Sequence, residues 1–122
     1  MTLVLRLALD LVPEDRGGRR RPVVDGYRAS LSFGRRRRGV EPIVHDAVVV
    51  LEDADALAPG ASGVARAYPL LPDELPRALA RGDVFTLLEH DRIVARARLL
   101  ERLDDPAPQP LRDLREAKTR RL

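Results

Sequence analysis

Leu3, Leu5, Leu7, Leu9 and Leu11 take every second position near the start of the chain, with Val4, Arg6, Ala8, Asp10 and Val12 between them. A strand turns successive side chains to opposite faces, so this spacing gives one dry face and one mixed face. Leucine has good helix propensity. In a helix, however, the same leucines would spread around the cylinder and leave no dry side. Residues 3–12 are therefore expected to form a strand buried on one side.

The same period returns along the chain. Over residues 24–33, Tyr27, Ala29, Leu31 and Phe33 alternate with Arg28, Ser30 and Ser32. Ile43 to Leu51 reads as a third strand with a β-branched centre at Val48, Val49 and Val50. Val64 to Leu71 reads as a fourth; Pro69 cannot donate to a ladder, which points to an edge, a bulge or a shorter strand. Val84 to Glu89 is a fifth. Ile93 to Leu100 is a sixth, with Ile93, Ala95, Ala97 and Leu99 opposite Val94, Arg96, Arg98 and Leu100. Pro59-Gly60, Gly82-Asp83 and Asp91-Arg92 supply turns. Pro76 limits any helix in residues 73–80 to about one turn. Six strands with almost no helix define an all-β fold, and a six-stranded antiparallel β-barrel is expected over residues 1–103.

After Leu103 the pattern changes. Residues 104–110 hold three prolines and read as a linker. Residues 111–121 form a charged segment with Leu111 and Leu114 at helical spacing. It is too short for a stable isolated helix, so it should fray or order only against the barrel or a partner.

Arginine is the chain's cation: Lys118 is the sole lysine. Between Pro13 and Val40 nine arginines face Glu14, Asp15 and Asp25, an excess of six positive charges. The whole chain carries +3, so the remainder is net negative by three. Two segments hold most of this charge. In the first, Gly17-Gly18 feeds Arg19, Arg20 and Arg21, and Pro22 biases Arg21 toward extended backbone. In the second, Arg35, Arg36, Arg37 and Arg38 lie between Gly34 and Gly39. Guanidinium groups bind phosphate oxygens bidentately, so these segments, with Arg28, are candidate polyanion contacts. Solvated loops in an arginine-biased composition, or docking to an acidic protein, are the competing readings.

Other chemistry finds little footing. No cysteine is present, which removes disulfides and thiolate sites. His45 and His90 lie far apart in sequence and show no metal-ligand spacing. Ser30 and Ser32 lack a nucleophile elbow. Glu52, Asp53 and Asp55 lack the glycine and distal glutamate of a calcium loop. Four aromatic residues, Tyr27, Phe33, Tyr68 and Phe85, make a poor base-stacking platform. Early Arg6 and Asp10 argue against a signal peptide or a membrane span. The expectation is a non-enzymatic, cytoplasmic protein without cofactor or metal.

Four markers, in order, resemble the C-terminal β-barrel (third) domain of elongation factor Tu. They are Gly17-Gly18-Arg19 with Gly26-Tyr27-Arg28, then Pro59-Gly60, then Gly82-Asp83-Val84-Phe85 with Leu88-Glu89, and finally Arg92-Ile93-Val94. The similarity covers roughly residues 3–103. His90-Asp91 stands where that family has a glycine pair, and Ala95 and Ala97 replace further glycines. The resemblance implies a six-stranded barrel that packs on a neighbour and helps hold the backbone of aminoacyl-tRNA. It implies RNA contacts at Arg19, Arg28 and Arg92. It implies no nucleotide binding here, since the sequence holds no P-loop or switch region. A module that contacts tRNA or ribosomal RNA is the first expectation. A protein-binding or self-associating module is the alternative.

Overall fold

The computed structural model describes residues 1–34 and 43–120. Its main strands are β1 (Thr2–Leu11), β3 (Tyr27–Ser32), β4 (His45–Leu51), β6 (Ser62–Pro69), β7 (Val84–Glu89) and β8 (Arg92–Asp105). They close into a barrel in the order β1-β6-β4-β3-β7-β8, with every neighbouring pair antiparallel. The expected six-stranded antiparallel barrel is thus the fold. Two short strands, β2 (Val23–Val24) and β5 (Ala56–Leu57), pair outside it as a separate ribbon.

The alternation explains the interior. Leu5, Leu7, Leu9 and Leu11 point inward from β1, and Ala29 and Leu31 from β3, with Tyr27 and Phe33 packed against them. Ala47, Ala65, Ala67, Ala95 and Ala97 face these large side chains. A six-stranded barrel is narrow, and pairing small with large residues fills it without strain. The two ends are closed by different segments. Val23 and Leu57 of the β2–β5 ribbon join the core at one end, where Leu57 packs against Gly63. Leu75 and Leu79, from the connection before β7, join it at the other.

Three features depart from the simple pattern. The stretch 24–33 is not one strand: Asp25-Gly26 breaks it, with Gly26 at φ 91°, so β2 leaves the barrel and only β3 remains in it. The break is fixed by the Asp25 carboxylate, which accepts from Leu51 N–H at 2.7 Å, and by Gly26 N–H, which donates to the Val49 carbonyl. In β8 a bulge falls opposite Leu87 and Leu88. Past it the faces exchange: Val94 is buried at 1% exposure, whereas Ile93, expected inside with Ala95, is 49% exposed. Two inward residues in a row, Val94 and Ala95, are the mark of the extra residue a bulge inserts. Finally, Pro69 is the last residue of β6, which satisfies the limit that proline places on a ladder.

β8 runs on to Asp105, where Asp104 and Asp105 pair with Leu3 and Thr2. The C-terminal segment then forms helix α1 (Gln109–Arg120). It lies on the outside of the barrel. Leu111 and Leu114 pack with Val4, Val48, Tyr68 and Leu70, a second apolar layer. Arg115 secures the contact by donating to Thr2 Oγ1 at 3.1 Å and to the carbonyls of Pro69 and Leu70. Of the two outcomes expected for this segment, ordering against the barrel is the one observed.

Candidate nucleic-acid interface

The glycine–arginine loop is built around Gly18. A Cβ there would sit 1.9 Å from the Val12 carbonyl oxygen, so only glycine fits. A short 3-10 turn, Glu14–Arg16, precedes it and ends at Gly17 with φ 94°. These two glycines fold the loop back so that Arg19 reaches the barrel wall.

Arg19 is then held on three sides. Its guanidinium forms an ion pair with Glu89 at the end of β7. It stacks 4.3 Å from the centroid of the Tyr27 ring. Its Nε donates to the Arg21 carbonyl at 3.2 Å. Only 16% of the side chain is exposed. A cation over an aromatic face in a partly dry setting contributes about 1–2 kcal/mol. Beneath it, the Tyr27 hydroxyl is buried with no hydrogen-bond partner among the described residues, and burial pushes its pKa above the usual tyrosine range. Arg19 therefore shapes the loop, with its fork already occupied.

The fixed loop presents its neighbours. Arg20 is 89% exposed, with only a 4.0 Å approach to Glu14. Arg21 and Arg28 are exposed, the latter on the outer face of β3. Arg92 is exposed and pairs across the hairpin with Glu89, the residue that holds Arg19. The topology thus brings Arg19, Arg28 and Arg92 to one end of the barrel, with Arg20 and Arg21 on the loop that Arg19 fastens there. Arg35, Arg36, Arg37 and Arg38 lie outside the described residues. Gly34, which precedes them, lines a depression with Pro76, Leu79 and Val84 near the barrel's other end.

Ala95 and Ala97 are buried in the barrel, so their methyl groups leave the outer surface beside Arg92 unchanged. His90, in the turn, has φ 55°, the left-handed conformation that asparagine, aspartate and histidine adopt more readily than other non-glycine residues. His45 begins β4 with its ring 5.6 Å from Phe33, a packing role.

A second charged group lies along β1, β6 and β8. Glu52 accepts from Arg6 and Arg66, and Arg66 also reaches Asp105 at 2.9 Å. The Tyr68 hydroxyl donates to the same Asp105 oxygen. Hydrogen bonding from Arg6 holds the Glu52 carboxyl below its usual pKa, while burial pushes the Tyr68 phenol up. These partners saturate one another, and the group fastens β1, β6 and β8 together. Sequence reading could not find it, because the pairs join residues 14 to 46 positions apart.

The class of the molecule is set by these observations: a closed six-stranded antiparallel barrel with an arginine-bearing end and one docked helix. No family model matches the chain, and no curated protein is similar enough to be matched. Among the described residues no helix is long and apolar enough to cross a membrane.

Proposed function

We propose that this chain is a non-catalytic binding module, resembling the C-terminal domain of elongation factor Tu, that docks on the phosphate backbone of structured RNA such as tRNA or ribosomal RNA. The observation that carries the reading is the gathering of Arg20, Arg21, Arg28 and Arg92, all exposed, around one end of the barrel. The locked Arg19 supports it by making that end rigid. The guanidinium forks match phosphate oxygens. The scarcity of exposed aromatic rings favours contact with backbone over bases. The matched sequence markers supply the choice of RNA.

The test is titration of fluorescent tRNA at about 50 mM and about 200 mM salt. Four phosphate contacts would weaken binding about a hundredfold between these conditions, by counterion release. Absence of binding at low salt, or binding indifferent to salt, would overturn the proposal.

The alternative, a protein-binding or self-associating module, draws on a different surface. Ile43 and Leu71 are 81% and 55% exposed, and Leu71 shares a depression with Val44. Sedimentation of the full chain and of Leu71→Glu checks it. A dimer in the former and a monomer in the latter would favour this reading. Removing residues 104–122 is not a clean test, because it would uncover Val4, Val48, Tyr68 and Leu70.

A further inference from the structure

The outer wall of the β7–β8 hairpin carries both charge and apolar surface. Val84 and Thr86 on β7 stand opposite Arg98 and Arg96 on β8, and the residues that alternate with them, Phe85, Leu87, Ala95 and Ala97, are buried. Val84, Thr86, Arg96 and Arg98 therefore face outward. Val84 is 67% exposed, an aliphatic side chain left in water. It opens onto a depression of about 460 Å3, lined mainly by Phe33, Pro76, Ala78, Leu79 and Val84 itself. Helix α1 packs elsewhere, over Val4, Val48, Tyr68 and Leu70, so this wall stays exposed.

The arginines of the wall are unmatched. Arg81, Arg96 and Arg98 are exposed and form no ion pair among the described residues. Arg81 stands beside the Val84 end of the hairpin, because the next residue, Gly82, donates its N–H to the Leu99 carbonyl. The neighbouring carboxylates bond elsewhere: Asp10, opposite Arg96, accepts from Ser62 Oγ, and Asp83 accepts from Ala80 N–H at 2.8 Å. Arg96 and Arg98 lie two residues apart on one face, roughly 6.6 Å along the strand. Alternate side chains of an extended peptide share that spacing, so carboxylates two residues apart can meet both guanidinium groups. The aliphatic surface and depression at the end of the row suit an apolar peptide side chain, for which a phosphate backbone has no counterpart.

We infer that this wall docks an acidic segment of a partner protein, held extended with alternate carboxylates on Arg96 and Arg98 and an aliphatic side chain in the depression beside Val84. The depression lies at the opposite end of the hairpin from Glu89 and Arg92, so the inference does not rest on the RNA reading.

The experiment is selection of a displayed library of random heptapeptides on the immobilised full chain, followed by titration of the enriched peptide in solution. Enriched sequences should carry aspartate or glutamate two residues apart, together with an aliphatic residue. Amide shifts on binding should fall on residues 81–86 and 96–98. Changing both Arg96→Gln and Arg98→Gln, on exposed positions, should lower the affinity about tenfold or more, as loss of charge-assisted bonds does. Val84→Asp, also on an exposed position, should weaken binding by placing a like charge before the peptide. The double variant Arg20→Ala, Arg21→Ala should bind the peptide as the wild type does, even if its tRNA binding is lost. A library that yields no binder, enriched peptides without acids, or binding that survives the Arg96 and Arg98 changes overturns the inference. Loss of tRNA affinity with those two changes would assign the wall to RNA, and a wild-type dimer that they dissociate would assign it to a second copy of the chain; either result also overturns it.

Discussion

Replacing Leu111 by alanine tests whether the C-terminal helix is part of the fold. Leu111 is fully buried between α1 and the outer wall of the barrel, against a layer that includes Val4, Val48, Tyr68 and Leu70. Truncating a buried leucine costs about 2–5 kcal/mol, the spread reflecting how far the site can collapse. Here one wall is a single helix that can settle inward, so the lower part of that range applies, about 2–3 kcal/mol. At about 4 °C per kcal/mol for a domain of this size, the melting temperature should fall by about 8–12 °C. Urea unfolding followed by far-ultraviolet circular dichroism measures the free energy, and a thermal melt gives the second value. Arg112→Ala, on the exposed side of the same helix, is the control and should stay within about 0.5 kcal/mol. A Leu111→Ala loss as small as the control's would show that α1 is not docked, and the second apolar layer would have to be abandoned.

Three further outcomes follow from the geometry. Val94→Asp should cost more than about 3 kcal/mol, whereas Ile93→Asp should cost less than about 1 kcal/mol; the reverse order in urea melts would remove the β8 bulge. Glu52 has its folded-state pKa below the ordinary 4.5, so its contribution to stability is complete above that value and is lost as pH falls through the lowered one. Glu52→Gln should therefore flatten the decline of stability in acid, and an unchanged slope of melting temperature against pH would contradict the assigned pairing. Tyr27 and Tyr68, the two tyrosines of the chain, both have raised values, so the stability they add persists below 10.0 and is lost as pH climbs past it through their folded-state values. Phenolate absorbance of the native protein should show less than half of the tyrosine ionised at pH 10.0, and a midpoint at that pH would count against their burial.

The sequence made the barrel legible because period two is a local signal. Leu5, Leu7, Leu9 and Leu11 fall inside as their spacing demands, and so do Ala29 and Leu31. Leu111 and Leu114 marked the correct face of α1. What stayed hidden was non-local or too short to carry a period. β2 and β5 have two residues each, so no alternation could reveal their pairing. The bulge at Val94 depends on how β8 meets β7, and nothing within Ile93-Val94-Ala95 discloses it. At the candidate interface the loop, its arginines and a sharp turn at Gly17-Gly18 were readable, whereas the close approach of Gly18 to the Val12 carbonyl was not. The occupation of Arg19 was not, because Glu89 lies 70 residues away.

The proposed RNA docking is tested most directly by the slope of log affinity for tRNA against log salt, for the wild type and for a variant with Arg20, Arg21, Arg28 and Arg92 all changed to alanine. All four side chains are exposed, so the variant should fold. Each lost phosphate contact should reduce the slope by about 0.9, giving a total reduction of roughly 3 to 4. Equal slopes for the two proteins would contradict the assignment of this end of the barrel as the RNA-binding surface.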